Sequence, residues 1–102
     1  MNSLVAEKRT DIERICRLHH VRRIELFGSA TGPGFDPACS DLDFLVAFGD
    51  LPADGYADAY FGLLEDLQSL FQRPVDLVVD SAIKNPYFRQ AVDKTRTVLY
   101  AA

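Results

Sequence analysis

The sequence predicts an α+β fold in which helices pack against a small mixed β-sheet. Residues 42–48 and 75–79 form nearly continuous apolar runs, typical of strands buried on both faces. Residues 56–71 instead carry apolar side chains at i, i+3, i+4 and i+7, the spacing of an amphipathic helix. The two periodicities alternate along the chain and give the order α-β-β-α-β-α-β.

The other elements follow from the same periodicities and from their end signals. They are a first helix over 3–18, a first strand over 21–27, a third helix that begins at Pro86, and a short last strand over 98–100. Ser3 is the expected cap of the first helix, and Asn85 is the expected cap before Pro86. The intervening stretch 28–40 is rich in turn-forming residues and predicts a long connection.

The length of 102 residues predicts a single domain over 1–102, since domains usually hold about 100–150 residues. No apolar stretch approaches the roughly 18 residues of a membrane span, and the charged start is unlike a secretory signal. Cys16 and Cys39 are too few for a disulfide framework or a zinc site. We therefore expect a cytoplasmic protein.

The net charge of −4 is unevenly distributed. Residues 1–23 hold six Lys or Arg against three acidic residues, and residues 81–102 hold four against one. Residues 24–80 hold one arginine against eleven acidic residues. This acidic centre argues against direct binding of nucleic acid, because like charges repel.

Three aspartates lie in or beside the apolar strands. Asp41 and Asp43 are two residues apart, so that in a strand both carboxylates point to the same face. Asp76 lies in the run 75–79 and joins them if the two strands are neighbours. Three carboxylates repel one another, and a divalent cation such as Mg²⁺ relieves that repulsion with the hard oxygen ligands it prefers.

Simpler roles for two of these aspartates remain open at this stage. Asp41 follows Ser40 and can cap a turn. Asp76 can pair with Arg73 or with a basic group of the first helix. Asp43 lies within an apolar strand, where it has no turn to stabilise, and the three together favour a metal site.

The first strand ends in Gly28-Ser29. Glycine lets the backbone approach a ligand closely, and the N–H groups and hydroxyl after a strand can bind a phosphate. A lone Gly-Ser pair is a weak signal, but its combination with Asp41 and Asp43 on the next strand indicates a site for a nucleotide and its metal.

This pattern resembles the polymerase-beta-like nucleotidyltransferase superfamily. The resemblance rests on Gly28-Ser29, eleven intervening residues, Asp41-Leu42-Asp43 and a later Asp76. The run LFGSATGPGFDPACSDLDFLVAF and the short length are most similar to the minimal nucleotidyltransferases, the antitoxin partners of HEPN-domain toxins. The similarity spans nearly the whole chain and implies a palm-like nucleotidyltransferase fold.

The resemblance implies a role for each matched residue. Gly28 and Ser29 would contact the phosphates of ATP. Asp41, Asp43 and Asp76 would be the catalytic carboxylates and would hold one or two Mg²⁺ ions. Asp76 would also help to remove the proton of the attacking hydroxyl.

The resemblance also implies a partner. A HEPN-type toxin would be the acceptor, and transfer of AMP from ATP to one of its tyrosine hydroxyls would neutralise it. The predicted elements occupy nearly all of the chain, which leaves no second domain to bind an acceptor. A folded protein partner would supply that surface.

Two departures from the family pattern bear on activity. Many relatives carry an arginine shortly after Gly-Ser, where this chain has Ala30-Thr31-Gly32, and the spacing of eleven is one longer than the common ten. Both affect how tightly a triphosphate is held. The alternative is therefore a non-catalytic antitoxin that neutralises its partner by complex formation. A third possibility is nucleotidyl transfer to a small molecule or an RNA end.

Overall fold

The computed structural model describes residues 2–32, 41–52 and 54–102. The helices are α1 (Ser3–Glu7), α2 (Arg9–Leu18), α3 (Tyr56–Phe71) and α4 (Pro86–Thr95). The strands are β1 (Val21–Phe27), β2 (Leu42–Phe48), β3 (Val75–Val79) and β4 (Thr97–Ala101). Short 3₁₀ turns follow two of the strands, at Gly28–Thr31 and at Asp80–Ala82.

The four strands form one mixed sheet in the order β3-β2-β1-β4. β1 is antiparallel to both β2 and β4, whereas β2 and β3 are parallel. The α+β prediction is confirmed. The parallel pair is joined through α3, as the long crossover between parallel strands requires.

The sheet has a different cover on each face. The larger core packs α2 and α3 on one face, where Phe44 and Val46 of β2 are fully buried. α4 lies on the other face, where Val92 packs with Phe27 and Leu45. Because strand side chains alternate, Asp43 shares the α4 face with Leu45. The exposed end of this second face is where the predicted site lies.

The first helix differs from the prediction in two respects. It is divided at Lys8, which ends α1 and precedes α2. Its cap is Asn2 and not Ser3, because the Asn2 side chain accepts hydrogen bonds from the amides of Leu4 and Val5. The apolar face is nonetheless continuous across the break, since Val5 and Ile12 are both fully buried.

The last strand begins at Thr97 and ends at Ala101, slightly beyond the predicted range 98–100.

Neither cysteine is among the predicted site residues. Burial and the negative charge of Glu13 raise the pKa of the Cys16 thiol to about 12, although the charge of Arg17 lowers it in part. This thiol is therefore protonated and unreactive at neutral pH. Cys39 lies outside the described residues. No helix within the described ranges combines the length and apolar character needed to cross a membrane.

Candidate active site

The predicted site residues meet at one edge of the sheet. β1 ends where β2 and β3 begin, because β1 is antiparallel to β2 and β2 is parallel to β3. Phe27, the residue before Gly28, is the register partner of Asp43, and Asp43 is in turn the register partner of Asp76. Register partners on neighbouring strands point to the same face, so Asp43 and Asp76 lie side by side. Asp41 precedes β2 directly and is exposed.

Gly28 is in close contact with the carboxylate of Asp43. Its φ of +76° lies in the left-handed region that glycine adopts at little cost. A Cβ atom built on Gly28 would lie 2.5 Å from Oδ2 of Asp43, which is shorter than any normal contact. The backbone angle therefore favours glycine at this position, and any side chain there would have to displace the Asp43 carboxylate.

The turn after β1 is held by hydrogen bonds that involve side chains. The Gly28 amide donates to Oγ1 of Thr95 at 2.9 Å, and Oγ1 of Thr31 donates to the Gly28 carbonyl at 2.8 Å. Nδ2 of Asn2 donates to the carbonyl of Ala30 at 3.1 Å. The Gly28 amide is thus already engaged, and Ser29, whose side chain is exposed, is the hydroxyl that the turn presents to solvent.

The three aspartates influence one another electrostatically. The pKa of Asp43 is raised, first by burial of its carboxyl and then by the negative charges of Asp76 and Asp41. Ionising Asp43 beside the other two therefore costs free energy that a cation would recover. This arrangement differs from a turn cap, which gives a carboxylate hydrogen bonds that favour its charge.

The donor set fits a hard divalent cation. Carboxylate oxygens are the ligands that Mg²⁺ prefers, and the glycine at position 28 leaves Oδ2 of Asp43 uncovered by a side chain on that side. Within the described part of the chain, no three acidic, histidine or cysteine side chains converge closely enough to form a ready metal cage. Mg²⁺ usually retains several waters and takes substrate phosphates as ligands, and so does not need such a cage.

One simpler role left open by the sequence, the pairing of Asp76 with a basic group of the first helix, is not found among the described residues. The arginines of α2 pair along their own helix, Arg9 and Arg17 with Glu13, and Arg14 with Asp11. The ion pairs formed between described residues leave out Asp41, Asp43 and Asp76. The turn that Asp41 could cap begins at Ser40, which lies outside the described residues.

A second cluster of charges lies on the same face of the sheet, beneath α4. Glu25 of β1 is 3% exposed and accepts hydrogen bonds from Arg96, Nε to Oε2 at 2.6 Å and Nη2 to Oε1 at 3.0 Å. Nε of Arg23 lies 2.8 Å from the same carboxylate. Asp80 is paired with Arg23 and Arg89.

This cluster is absent from the sequence prediction. Burial alone would raise the pKa of Asp80, but the hydrogen bond and charge of Arg89, with the charges of Arg96 and Arg23, lower it overall. The alternation Arg23-Ile24-Glu25 could have indicated that Arg23 and Glu25 share a face. Nothing local could have indicated Arg96, which is 71 residues from Glu25.

A pocket of about 410 Å³ opens at the other end of β2 and β3. It is lined by Phe48, Tyr56, Asp80 and Arg89 among others, and the ring of Tyr56 meets that of Phe48 edge-on at 5.4 Å. Asp41, Asp43 and Asp76 do not line it. The pocket is therefore separate from the edge of the sheet where Asp41, Asp43 and Asp76 lie, which we call the aspartate edge.

Comparison with known proteins gives one family and several related folds. The family model described as a nucleotidyltransferase domain matches residues 9–99. A candidate protein adenylyltransferase of Methanocaldococcus jannaschii is 36% identical over 76 residues, which cover 74% of this chain and 74% of that protein.

Two solved toxin–antitoxin structures have the same fold. One, a toxin–antitoxin crystal structure with AMP-PNP, is 26% identical with a TM-score of 0.66, and the match covers 92% of this chain and 73% of that one. The other contains a tri-AMPylated HEPN toxin of Shewanella oneidensis in complex with an MNT antitoxin. It is 23% identical with a TM-score of 0.64, over 95% of this chain and 72% of that one, and at this identity it supports the fold alone.

Proposed function

Because the chain belongs to the nucleotidyltransferase domain family and is a nucleotidyl-transferring enzyme, we propose that it transfers AMP from ATP to a tyrosine hydroxyl of a HEPN-type toxin and so acts as its antitoxin. The observation that carries the proposal is the register of Asp43 with Asp76 against the Gly28 turn. Asp41 and Asp76 are exposed beside this turn, which supports a site that a triphosphate and a protein acceptor would both reach.

The relatives support the substrates. The structural relative with AMP-PNP contains an ATP analogue, which favours ATP as the nucleotide. The same structure is a toxin–antitoxin complex, which favours a toxin as the protein acceptor. The HEPN class of the proposed acceptor is the one that the sequence resemblance implies. We also propose a cytoplasmic location, where ATP is abundant.

Each site residue then has a chemical task. Ser29 and the turn that begins at Gly28 would bind the triphosphate, and Asp41, Asp43 and Asp76 would hold Mg²⁺. When bound, Mg²⁺ would supply the positive charge that offsets the carboxylates and the departing pyrophosphate. A bond forms between the tyrosine oxygen and the α-phosphorus as the bond from that phosphorus to the β-phosphate oxygen breaks. Asp76, which is exposed, would accept the phenolic proton.

One observation favours the alternative, a non-catalytic antitoxin. The turn lacks the arginine of many relatives, its Gly28 amide is already bonded to Thr95, and its residue Ala30 is buried. Fewer groups thus remain for a triphosphate, and neutralisation by coverage of the toxin would need none of them.

The decisive experiment follows label from α-labelled ATP in the presence of Mg²⁺ and the HEPN partner. We expect label on the toxin with the wild-type protein and none with Asp43→Asn, which keeps the shape of the side chain but removes its charge. Asp58→Asn is the matched control, since Asp58 is an exposed aspartate in the first turn of α3.

Two results would decide against the proposal. Toxin that is neutralised without label by both wild-type protein and Asp43→Asn would establish the binding-only alternative. Label on an RNA end or a small molecule, with none on the toxin, would replace the acceptor.

A further inference from the structure

Thr95, the last residue of α4, contacts the turn that begins at Gly28. Its Oγ1 accepts the Gly28 amide at 2.9 Å and lies 3.5 Å from the carbonyl of Val92, to which it donates. The two residues joined by the first bond are 67 apart in sequence. The hydroxyl thus links the end of a helix to the backbone of the candidate nucleotide site.

Gly28 needs such a fixed partner because glycine alone does not hold one conformation. It populates many backbone angles, and here it must keep a φ of +76° with its α-carbon against the Asp43 carboxylate. A hydrogen bond to its amide fixes the peptide plane between Phe27 and Gly28. That plane sets the direction in which the following amides and the Ser29 hydroxyl point.

Thr95 is itself held in place on both sides. Arg96, the next residue, makes two hydrogen bonds to the buried carboxylate of Glu25, which lies two residues before Phe27 on β1. On the other side, Val92 is 1% exposed and packs with Phe27. The hydroxyl is therefore fixed relative to the end of β1, whose continuation is the turn.

We infer that Thr95 is a positioning residue that orients the Gly28 turn for the triphosphate of ATP, with Glu25 and Arg96 holding it in place. The inference rests on the proposed nucleotidyl transfer and deepens it. Thr95 acts through Gly28, so its loss affects ATP binding more than the chemical step.

The test compares Thr95→Val, Thr95→Ser and Thr10→Val in the transfer assay at varied ATP. Valine keeps the shape of threonine but loses the hydroxyl, whereas serine keeps the hydroxyl. We expect Thr95→Val to raise KM for ATP about five- to tenfold with kcat changed less than about twofold. Thr95→Ser should stay within about twofold of wild type, as should the control Thr10→Val, which alters an exposed threonine of α2. A folded Thr95→Val with wild-type KM would overturn the inference.

A second measurement does not depend on activity or on the variant folding. Amide hydrogen exchange of the wild-type protein, followed by NMR, should show protection at Gly28. Rapid exchange of that amide would overturn the inference. Wild-type protein that transfers no label would instead end the proposed function, and would leave protection at Gly28 unchanged, so the two failures are distinguishable.

Discussion

Two groups of acidic side chains lie on the same face of the sheet, and their surroundings are opposite. Glu25 and Asp80 are matched by Arg23, Arg89 and Arg96. Asp41, Asp43 and Asp76, at the edge of that face, take no part in the ion pairs between described residues, and their mutual repulsion contributes to the raised pKa of Asp43. The paired group holds α4 on the sheet, whereas the crowded group is suited to a cation that comes from solution.

The ion pairs beneath α4 also account for part of the charge distribution along the chain. The basic flanks supply Arg23 from one end and Arg89 and Arg96 from the other to acids of the central segment. Among the described residues, the acidic side chains of the central segment that remain at this face are Asp41, Asp43 and Asp76. Segment charges alone could not separate the two groups, because the separation depends on which strands are neighbours.

The largest expected effect is the loss of transfer activity on substitution of Asp76 at the aspartate edge. Asp76→Asn should lower the rate of AMP transfer on the order of 100-fold, because it removes a carboxylate proposed to act in the reaction. The melting temperature should stay within about 2 °C of wild type, since Asp76 is exposed and its negative charge repels that of Asp43. Rate measurement and thermal melting check both parts. A variant that melts much earlier, with an unchanged rate, would assign Asp76 to structure.

The next effect is on stability at the paired group. Glu25→Gln should lower the free energy of unfolding by about 2–3 kcal/mol, because it removes the charge that Arg96 and Arg23 face in a buried setting. Urea denaturation measures this change. Glu65→Gln is the control, an exposed position on α3 that should change stability little. Equal midpoints for the two variants would show that the ion pairs under α4 contribute nothing.

In the turn after β1, replacement of glycine by alanine should be costly at position 28 and nearly neutral at position 32. Gly28→Ala should destabilise the protein by about 1–2 kcal/mol, the cost of a left-handed angle for an L-residue. It should also weaken ATP binding, because the new methyl group meets Oδ2 of Asp43. Gly32→Ala, where the nearest atom is 4.0 Å away, should be near neutral. Denaturation and ATP titration of both variants test this, and equal effects at the two positions would contradict it.

The smallest expected effect is a gain of stability. A carboxyl whose pKa is raised by folding contributes stability in acid, and that contribution is lost as the pH rises through its folded value. At pH 7 the ionised Asp43 therefore costs stability, and Asp43→Asn should raise the Tm by about 2–5 °C without metal. The difference should shrink as the pH falls through the folded pKa of Asp43 and should be lost below about pH 4. A lower Tm for Asp43→Asn at pH 7 would show that the carboxylate has a stabilising partner.

Local patterns predicted most of the fold. The apolar runs of β2 and β3 and the stripe of α3 are bounded by clear turn residues, and the predicted ranges 42–48, 75–79 and 56–71 agree with the structure. The division of the first helix at Lys8 was not predicted, because the apolar face continues through it. The cap was misplaced by one residue, since both Asn2 and Ser3 are good caps.

Local patterns predicted only part of the arrangement of the candidate site. A period of two places Asp41 and Asp43 on one face, but Asp76 joins them only through the order and register of the sheet, which no local pattern sets. The contacts of Thr95 with Gly28 and of Arg96 with Glu25 span 67 and 71 residues. Such pairs depend on how α4 lies on the sheet, and they emerge only in the folded chain.

The most direct test of the central claim locates the cation. Mn²⁺, a paramagnetic substitute for Mg²⁺, is titrated with ATP into the labelled protein, and the broadening of each amide signal is followed by NMR. We expect Gly28, Asp43 and Asp76 to broaden first and most strongly, and Glu25 and Asp80 to broaden later and less. Broadening that begins at Glu25 and Asp80, or that spares the aspartate edge, would contradict the claim.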